Sequence, residues 1–456
     1  MRYALLLAAL LPGLTFAATP EQTKAVDAWF ASFNKTTPGC AVGVEQGGKR
    51  VFTKAYGMAD LEGGRPITAD TIFEAGSVSK QFTAAAIAVL AARGQLSLDD
   101  EARKYLPDLP DYGAKLTIGH LLHHTSGLRE WSDIVELEGW PRTTRAISEE
   151  YAAQAIFRQK SLNFTPGAEY LYSNSNYVLL ALIVARVSGQ DFQTFTRENL
   201  FAPAGMTHTG WRGEFDRIVP GRAQAYEDDG EGGWLLRMPF ENVIGHAGLL
   251  TTIGDLLAWN RALSHPPAAF AEWVPMMTED GHLNDGQPVH YALALALNPI
   301  NGDQAISHTG STAGYRAFIG RFPGQDLSIA TLCNSGTVNN GIQSAELEAI
   351  FSKTAKRQPP PGPKPQPASD WRPSEQDLAG LTGRFYSDEV RGELTAKLVS
   401  GALVLASPSG RTISLRPLTP GKFISQDGQW RADASPQALV LTSDRSRNIR
   451  FERRSP

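Results

Sequence analysis

The chain's 456 residues suffice for a large domain and a smaller one, and 42% hydrophobic with 20% charged residues is the balance of a globular protein in water. A formal net charge of −4 leaves no electrostatic case for nucleic acid or an anionic membrane surface as partner. The first apolar stretch, Leu5 to Leu14, falls well short of the ~20 residues that span a bilayer, so no membrane span is expected.

Behind Arg2, that stretch is broken by Pro12-Gly13 and closes on Thr15-Phe16-Ala17. This pattern reads as a signal peptide over 1–17, cut after Ala17, and makes the protein exported, either periplasmic or extracellular. Pro20 to Lys35 carries Val26, Trp29, Phe30 and Phe33 at helical spacing. Ala41 to Val44 and Arg50 to Ala55 are short strand runs joined as a hairpin around Gly47-Gly48. Phe82 to Ala92 is apolar nearly all round, which predicts a buried helix stopped by Gly94. Tyr177 to Val187 is a further helix, ended by Gly189. Tyr315 to Phe322 and Leu327 to Cys333 are two more strands, turning at Pro323-Gly324. Strands from both ends with helices between them predict an α+β domain, an antiparallel sheet closed by its N- and C-terminal segments. Cys40 and Cys333 each sit in a strand-like run. Export would permit a disulfide between them, though spacing alone does not decide the geometry.

Composition shifts at Arg357 to Pro373, where seven prolines occur with no aliphatic residue larger than Ala, a semi-rigid linker. It separates a domain over 18–356 from a small one over 374–456. The small part alternates strand runs with turns (Gly383–Tyr386, Leu394–Val399, Leu403–Ala406, Thr412–Leu415, Lys422–Ser425, Leu439–Thr442, Ile449–Glu452), a sandwich or barrel. Arginines punctuate its last strand region (Arg445, Arg447, Arg450) and read as a solvated face rather than a binding patch.

The chemistry centres on Ser77-Val78-Ser79-Lys80, at the start of the buried helix. Free backbone amides at a helix start can stabilise an oxyanion. The positive helix end and desolvation both move a lysine away from its ordinary ~10.4 toward a neutral base. The i, i+3 spacing lets the amine reach the hydroxyl. Ser79 points elsewhere. Ser32-Phe33-Asn34-Lys35 repeats the spacing without other support, so the motif alone proves little. Two further elements add to it: Tyr172-Ser173-Asn174 behind Phe164-Thr165-Pro166-Gly167, and His308-Thr309-Gly310-Ser311 ahead of the strand from Tyr315.

In this order and spread, S-x-x-K, Y-x-N and a basic residue before T-G resemble the serine β-lactamase and penicillin-binding-protein superfamily. Leu121 to Leu128 and Gly248 to Thr252 before Asp255-Leu256 are similar to runs of that family. The resemblance covers roughly Thr23 to Phe351 and is nearest to the class C β-lactamase branch, with its D-aminopeptidase and esterase relatives. It implies a β-lactamase/transpeptidase-like fold with a helical subdomain, and a covalent acyl-enzyme formed on a small peptide, amide or ester without metal or organic cofactor. By motif, Ser77 is the nucleophile and Lys80 its base or proton partner. Tyr172 is a second acid/base that passes a proton to the leaving group, for which its pKa of ~10 would have to fall. Asn174 bonds Lys80 or a substrate amide, the amides of Ser77 and Ser311 form the oxyanion hole, and Thr309, Gly310 and Ser311 line the substrate.

His308 completes the catalytic set but stands where β-lactamases and D-carboxypeptidases usually carry lysine. With an ordinary pKa of ~6.5 it is mostly neutral at pH 7 and supplies no permanent cation for a substrate carboxylate. This moves the expectation from a class C-type β-lactamase toward a D-amino-acid peptidase or esterase. A non-hydrolytic penicillin-binding receptor is a third alternative, disfavoured by the presence of both Tyr172 and Lys80. His246, in Gly245-His246-Ala247-Gly248, reaches the substrate pocket or makes a structural hydrogen bond. Trp131 and Trp140 line the cleft or cover the helical subdomain. No G-x-S-x-G elbow occurs, and His120, His123 and His124 lack the H-E-x-x-H pattern of a zinc site. The small part resembles the lipocalin-like β-domain of some of these hydrolases around Gly383-Arg384-Phe385-Tyr386 and Ile449-Arg450-Phe451.

Overall fold

The computed structural model describes residues 17–140, 145–359 and 369–455. The expected signal segment, apart from Ala17, and the centre of the Pro-rich linker lie outside the described residues. Strands β1 (Cys40–Gln46) and β2 (Lys49–Tyr56) form the expected hairpin, and β3 (Ile306–Thr312), β4 (Tyr315–Phe322) and β5 (Leu327–Cys333) come from the far end of the domain. All five pair antiparallel in the order β3-β4-β5-β1-β2, so the two ends of the domain meet where β5 lies along β1. Cys40 and Cys333 stand opposite one another in that register, their Cα atoms 4.0 Å apart, and are joined by a disulfide.

Of helices α1 (Pro20–Trp29), α2 (Lys80–Ala92), α3 (Asn174–Ser188), α4 (Ile253–Ser264) and α5 (Asn340–Phe351), α1, α4 and α5 cover the sheet, while α2 and α3 pack on one another. Side chains alternate across a strand. Val42 and Val44 therefore join Val26, Phe30, Leu347 and Phe351 on one face, while Ala41 turns to Ile253 and Leu257 on the other. Both faces are covered, so β1 is buried almost end to end instead of alternating wet and dry. Among the described residues no helix is long and apolar enough to cross a membrane.

Three expectations need correction. Helix α1 stops at Trp29 rather than Lys35, because Asn34 and Thr37 capture local amides (Thr36 N to Asn34 Oδ1 2.9 Å, Asn34 N to Thr37 Oγ1 2.9 Å) and close a turn. That leaves Ser32 and Lys35 exposed. Second, His308 to Ser311 lies within strand β3 and not merely ahead of a strand.

Third, the small part has eight strands where seven were expected: β6 (Gly383–Ser387), β7 (Gly392–Val399), β8 (Ala402–Ala406), β9 (Thr412–Thr419), β10 (Lys422–Ser425), β11 (Arg431–Ala434), β12 (Ala438–Thr442) and β13 (Ile449–Arg453). They form a closed antiparallel barrel, sealed where β6 pairs with β13. The overlooked strand, β11, alternates charged Arg431 and Asp433 with small, inward Ala432 and Ala434, and so lacks the bulky residues that advertise a strand. Closure leaves no free edge, which decides between sandwich and barrel.

Candidate active site

Ser77 lies in a short turn, Gly76–Ser79, that runs straight into α2. Helix α2 is buried on every side from Lys80 to Leu90, as its composition requires. The turn touches the edge strand β3 backbone to backbone. A Cβ on Gly310 would stand 2.0 Å from the Ala75 carbonyl oxygen, and one on Gly76 (φ +52°) would stand 2.7 Å from the Ser311 nitrogen. Only glycine tolerates both approaches. On β3's open edge Ser307 exchanges both backbone hydrogen bonds with Ala296. By the two-residue period the Ser311 N–H faces the same edge.

Lys80 is fully buried, and its Nζ touches three oxygens: Ser77 Oγ at 3.0 Å, Asn174 Oδ1 at 2.7 Å and the His246 carbonyl at 2.8 Å. Two of these can only accept, so a neutral amine would spend its two N–H groups on Asn174 and His246. Its lone pair then points at the Ser77 hydroxyl, the geometry of a general base. As an ammonium, the same nitrogen donates to all three. Asn174 is held as the first residue of α3, its own N–H donating to Glu130 Oε2 at 2.7 Å.

Tyr172 is buried beside this pair, with Lys80 Nζ 4.9 Å from its ring centroid. Burial pushes its pKa up, while Ser77 and Arg445 pull the other way. The lowered pKa expected from the sequence is not found, because loss of solvent outweighs the neighbouring cations. Resting Tyr172 is a neutral phenol able to donate a proton. His124 stacks against it with ring centroids 4.1 Å apart, and its Nδ1 accepts from Ser173 N and Asn176 Nδ2. Burial and Lys80 hold His124 neutral.

His308 is buried as well. A carbonyl cannot donate, so His308 Nδ1 carries the proton it gives to Thr309 O (2.5 Å), and Nε2 accepts from the Tyr291 hydroxyl (2.9 Å). Burial, with Lys80 nearby, drives its pKa down to about 4. The histidine is therefore neutral at physiological pH.

Of the other expected residues, His246 contributes its carbonyl to Lys80 while its ring lies against Glu241 (3.6 Å) and Trp131 (5.5 Å between rings). Trp131 is wholly buried there, whereas Trp140 is 40% exposed. A buried ion network runs from Glu74 through Arg212 to Glu241 beneath the His246 loop. It joins the strand before Ser77 to the segment that holds Lys80.

Sequence reasoning missed Tyr291 and Glu130, which belong to no motif, whereas His124 lies in the Leu121 to Leu128 run. It also misread the arginines of the last barrel turn. Between β12 and β13, Ser443 bonds Asp133 (2.5 Å), Ser446 accepts the Glu130 N–H (3.1 Å), and Arg447 pairs with Glu169 (3.0 Å). Arg445 lies over the Tyr172 ring, 5.1 Å from its centroid. The barrel docks this turn on the catalytic domain, so these residues face a protein surface and not only solvent.

A serine paired with a buried lysine at the head of a core helix, beside the open edge of an antiparallel sheet, defines a serine hydrolase. The chain matches the Beta-lactamase family model over residues 26–350 and belongs to that family. It is 26% identical over 328 residues to penicillin-binding protein 4* of Bacillus subtilis, covering 68% of this chain and 70% of that protein. It is 29% identical over 300 residues to the D-aminopeptidase of Gluconobacter oxydans, covering 65% of this chain and 56% of that protein. The chain thus spans little more than half the length of that D-aminopeptidase. In fold it resembles the octameric penicillin-binding protein homologue from Pyrococcus abyssi, with TM-score 0.62 at 23% identity over 94% of this chain and 99% of that one. The closed eight-stranded barrel fits the expected lipocalin-like domain.

Proposed function

We propose that this protein is an exported serine hydrolase that forms a Ser77 acyl-enzyme on amides or esters of D-amino acids. The observation that carries the proposal is the three-cornered setting of Lys80, which aims one corner of its nitrogen at Ser77 Oγ. In the acylation step the Ser77 proton moves to neutral Lys80 as Oγ attacks the carbonyl carbon. The amides of Ser77 and Ser311 hold the resulting oxyanion. The bond to the leaving nitrogen or oxygen then breaks as Tyr172 supplies its proton, and Lys80 restores the proton to Tyr172. Water, activated by the same groups, releases the acid and frees Ser77. Thr309, Gly310 and Ser311 form the edge against which the acyl chain lies.

The D-amino-acid preference rests on His308, neutral where the β-lactam-hydrolysing relatives carry a cation, and on the likeness to D-aminopeptidases. Export is supported by the N-terminal pattern and by the Cys40–Cys333 disulfide, a bond typical of oxidising compartments. The test is a screen of p-nitrophenyl esters, D- and L-aminoacyl p-nitroanilides and a chromogenic cephalosporin, with mass spectrometry of the adduct. Turnover of D-aminoacyl substrates through a transient Ser77 adduct is expected. Rapid cephalosporin hydrolysis with negligible aminoacyl turnover would reassign the protein as a β-lactamase. An adduct that never clears would make it a receptor.

A further inference from the structure

The groups around Tyr172 come from two domains, and the barrel's share includes a positive charge, Arg445. His308 cannot anchor a substrate carboxylate: it is neutral, and both ring nitrogens are engaged, with Tyr291 and Thr309. Arg445 is differently placed. Its guanidinium lies 5.1 Å from the Tyr172 ring centroid, on the ring that Lys80 also approaches. Its side chain is 46% exposed, and among the described residues its guanidinium makes no hydrogen bond.

The nearest acid, Glu130, is 3.9 Å away and already accepts from Asn174 N and Ser132. The other arginines of this region are committed, Arg447 to Glu169 and Arg450 to Glu452. The backbone of Arg445 is nevertheless fixed: Asn163 Nδ2 bonds its carbonyl at 3.0 Å, and its N–H bonds Ser443 Oγ at 3.1 Å. A half-exposed guanidinium over Tyr172, on a fixed backbone and held only by a long ion pair, has donors left for an anion.

We infer that Arg445 binds a carboxylate on the leaving group, so that the preferred substrates are amides whose hydrolysis frees an amino acid with its own carboxylate. The side follows from Tyr172, which delivers the proton to the departing nitrogen and carries Arg445 on its ring. The inference rests on the acyl-enzyme reading above and adds the leaving group to it.

The test joins the D-aminoacyl group turned over fastest as a p-nitroanilide to either D-Ala or D-Ala amide, and measures kcat/KM on the full chain. Wild type should favour the free acid by roughly tenfold to a hundredfold, mostly through KM. In Arg445→Ala and Arg445→Gln that ratio should collapse toward one, and Arg445→Lys should restore part of it. Arg447→Ala, which loosens the same turn, should keep the ratio. No preference in wild type, an unchanged ratio in Arg445→Ala, or equal collapse in Arg447→Ala overturns the assignment. Activity surviving Ser77→Ala would instead overturn the catalytic reading beneath it.

Discussion

Lys80 Nζ sits among the oxygens of Ser77, Asn174 and His246, the setting in which the proposed mechanism uses it as a base. Lys80→Ala should lower kcat by roughly a hundredfold to ten-thousandfold with a smaller change in KM, the range for loss of a general base. Steady-state kinetics on the best ester would check this. His308 makes a pH prediction. Its folded pKa of about 4 lies below the ordinary ~6.5, so the unfolded chain takes up the proton first. Its contribution to stability is full above pH 6.5 and is lost as pH falls toward 4. Melting temperatures at pH 7.5 and 4.5 should therefore fall less in His308→Gln than in wild type, and the difference between the two proteins isolates this residue.

The contact between the Ser77 turn and β3 depends on two glycines rather than on side-chain packing. Gly310→Ala would drive a methyl group into the Ala75 carbonyl, 2.0 Å away, and must part the turn from the strand. We expect a cost of about 1–3 kcal/mol, with a larger proportional loss of activity because the Ser311 amide moves off the oxyanion position. Urea unfolding set beside kcat would separate the two effects. The β1–β5 seam is tied by Cys40–Cys333, residues 293 apart in sequence. Replacing both by serine should cost about 2–5 kcal/mol, with reductant then having no further effect on the melting temperature.

At the scale of the molecule, the barrel packs its last turn against Glu130, Asp133 and Tyr172. Arg129, buried in the catalytic domain, pairs with Glu389 of the barrel and donates to the Arg447 and Asn448 carbonyls of the docked turn. Removing one partner of a buried ion pair leaves an uncompensated charge. Glu389→Ala should destabilise the full chain by about 3 kcal/mol and split its unfolding into two transitions by calorimetry. A single transition at unchanged temperature would show that this ion pair does not hold the two domains together.

The cluster of Ser77, Lys80, Tyr172 and Asn174 was legible because the proposed chemistry needs residue types at short fixed spacings, and the all-apolar run after Lys80 places Ser77 at the head of a buried helix. The α+β order and the hairpins were legible because periodicity and glycine stops are local. Tyr291 and Glu130 were not, since nothing near them in the chain records which side chain they will face. The disulfide needed the β1–β5 register, and the Tyr172 pKa needed its burial. Arg445 looked like part of a solvated face because its strand region is locally amphipathic, and only the docking of one domain on another puts it over Tyr172. Short-range pattern determined the proposed nucleophile and its base. Long-range packing, which no spacing encodes, decided the charge and the walls around them.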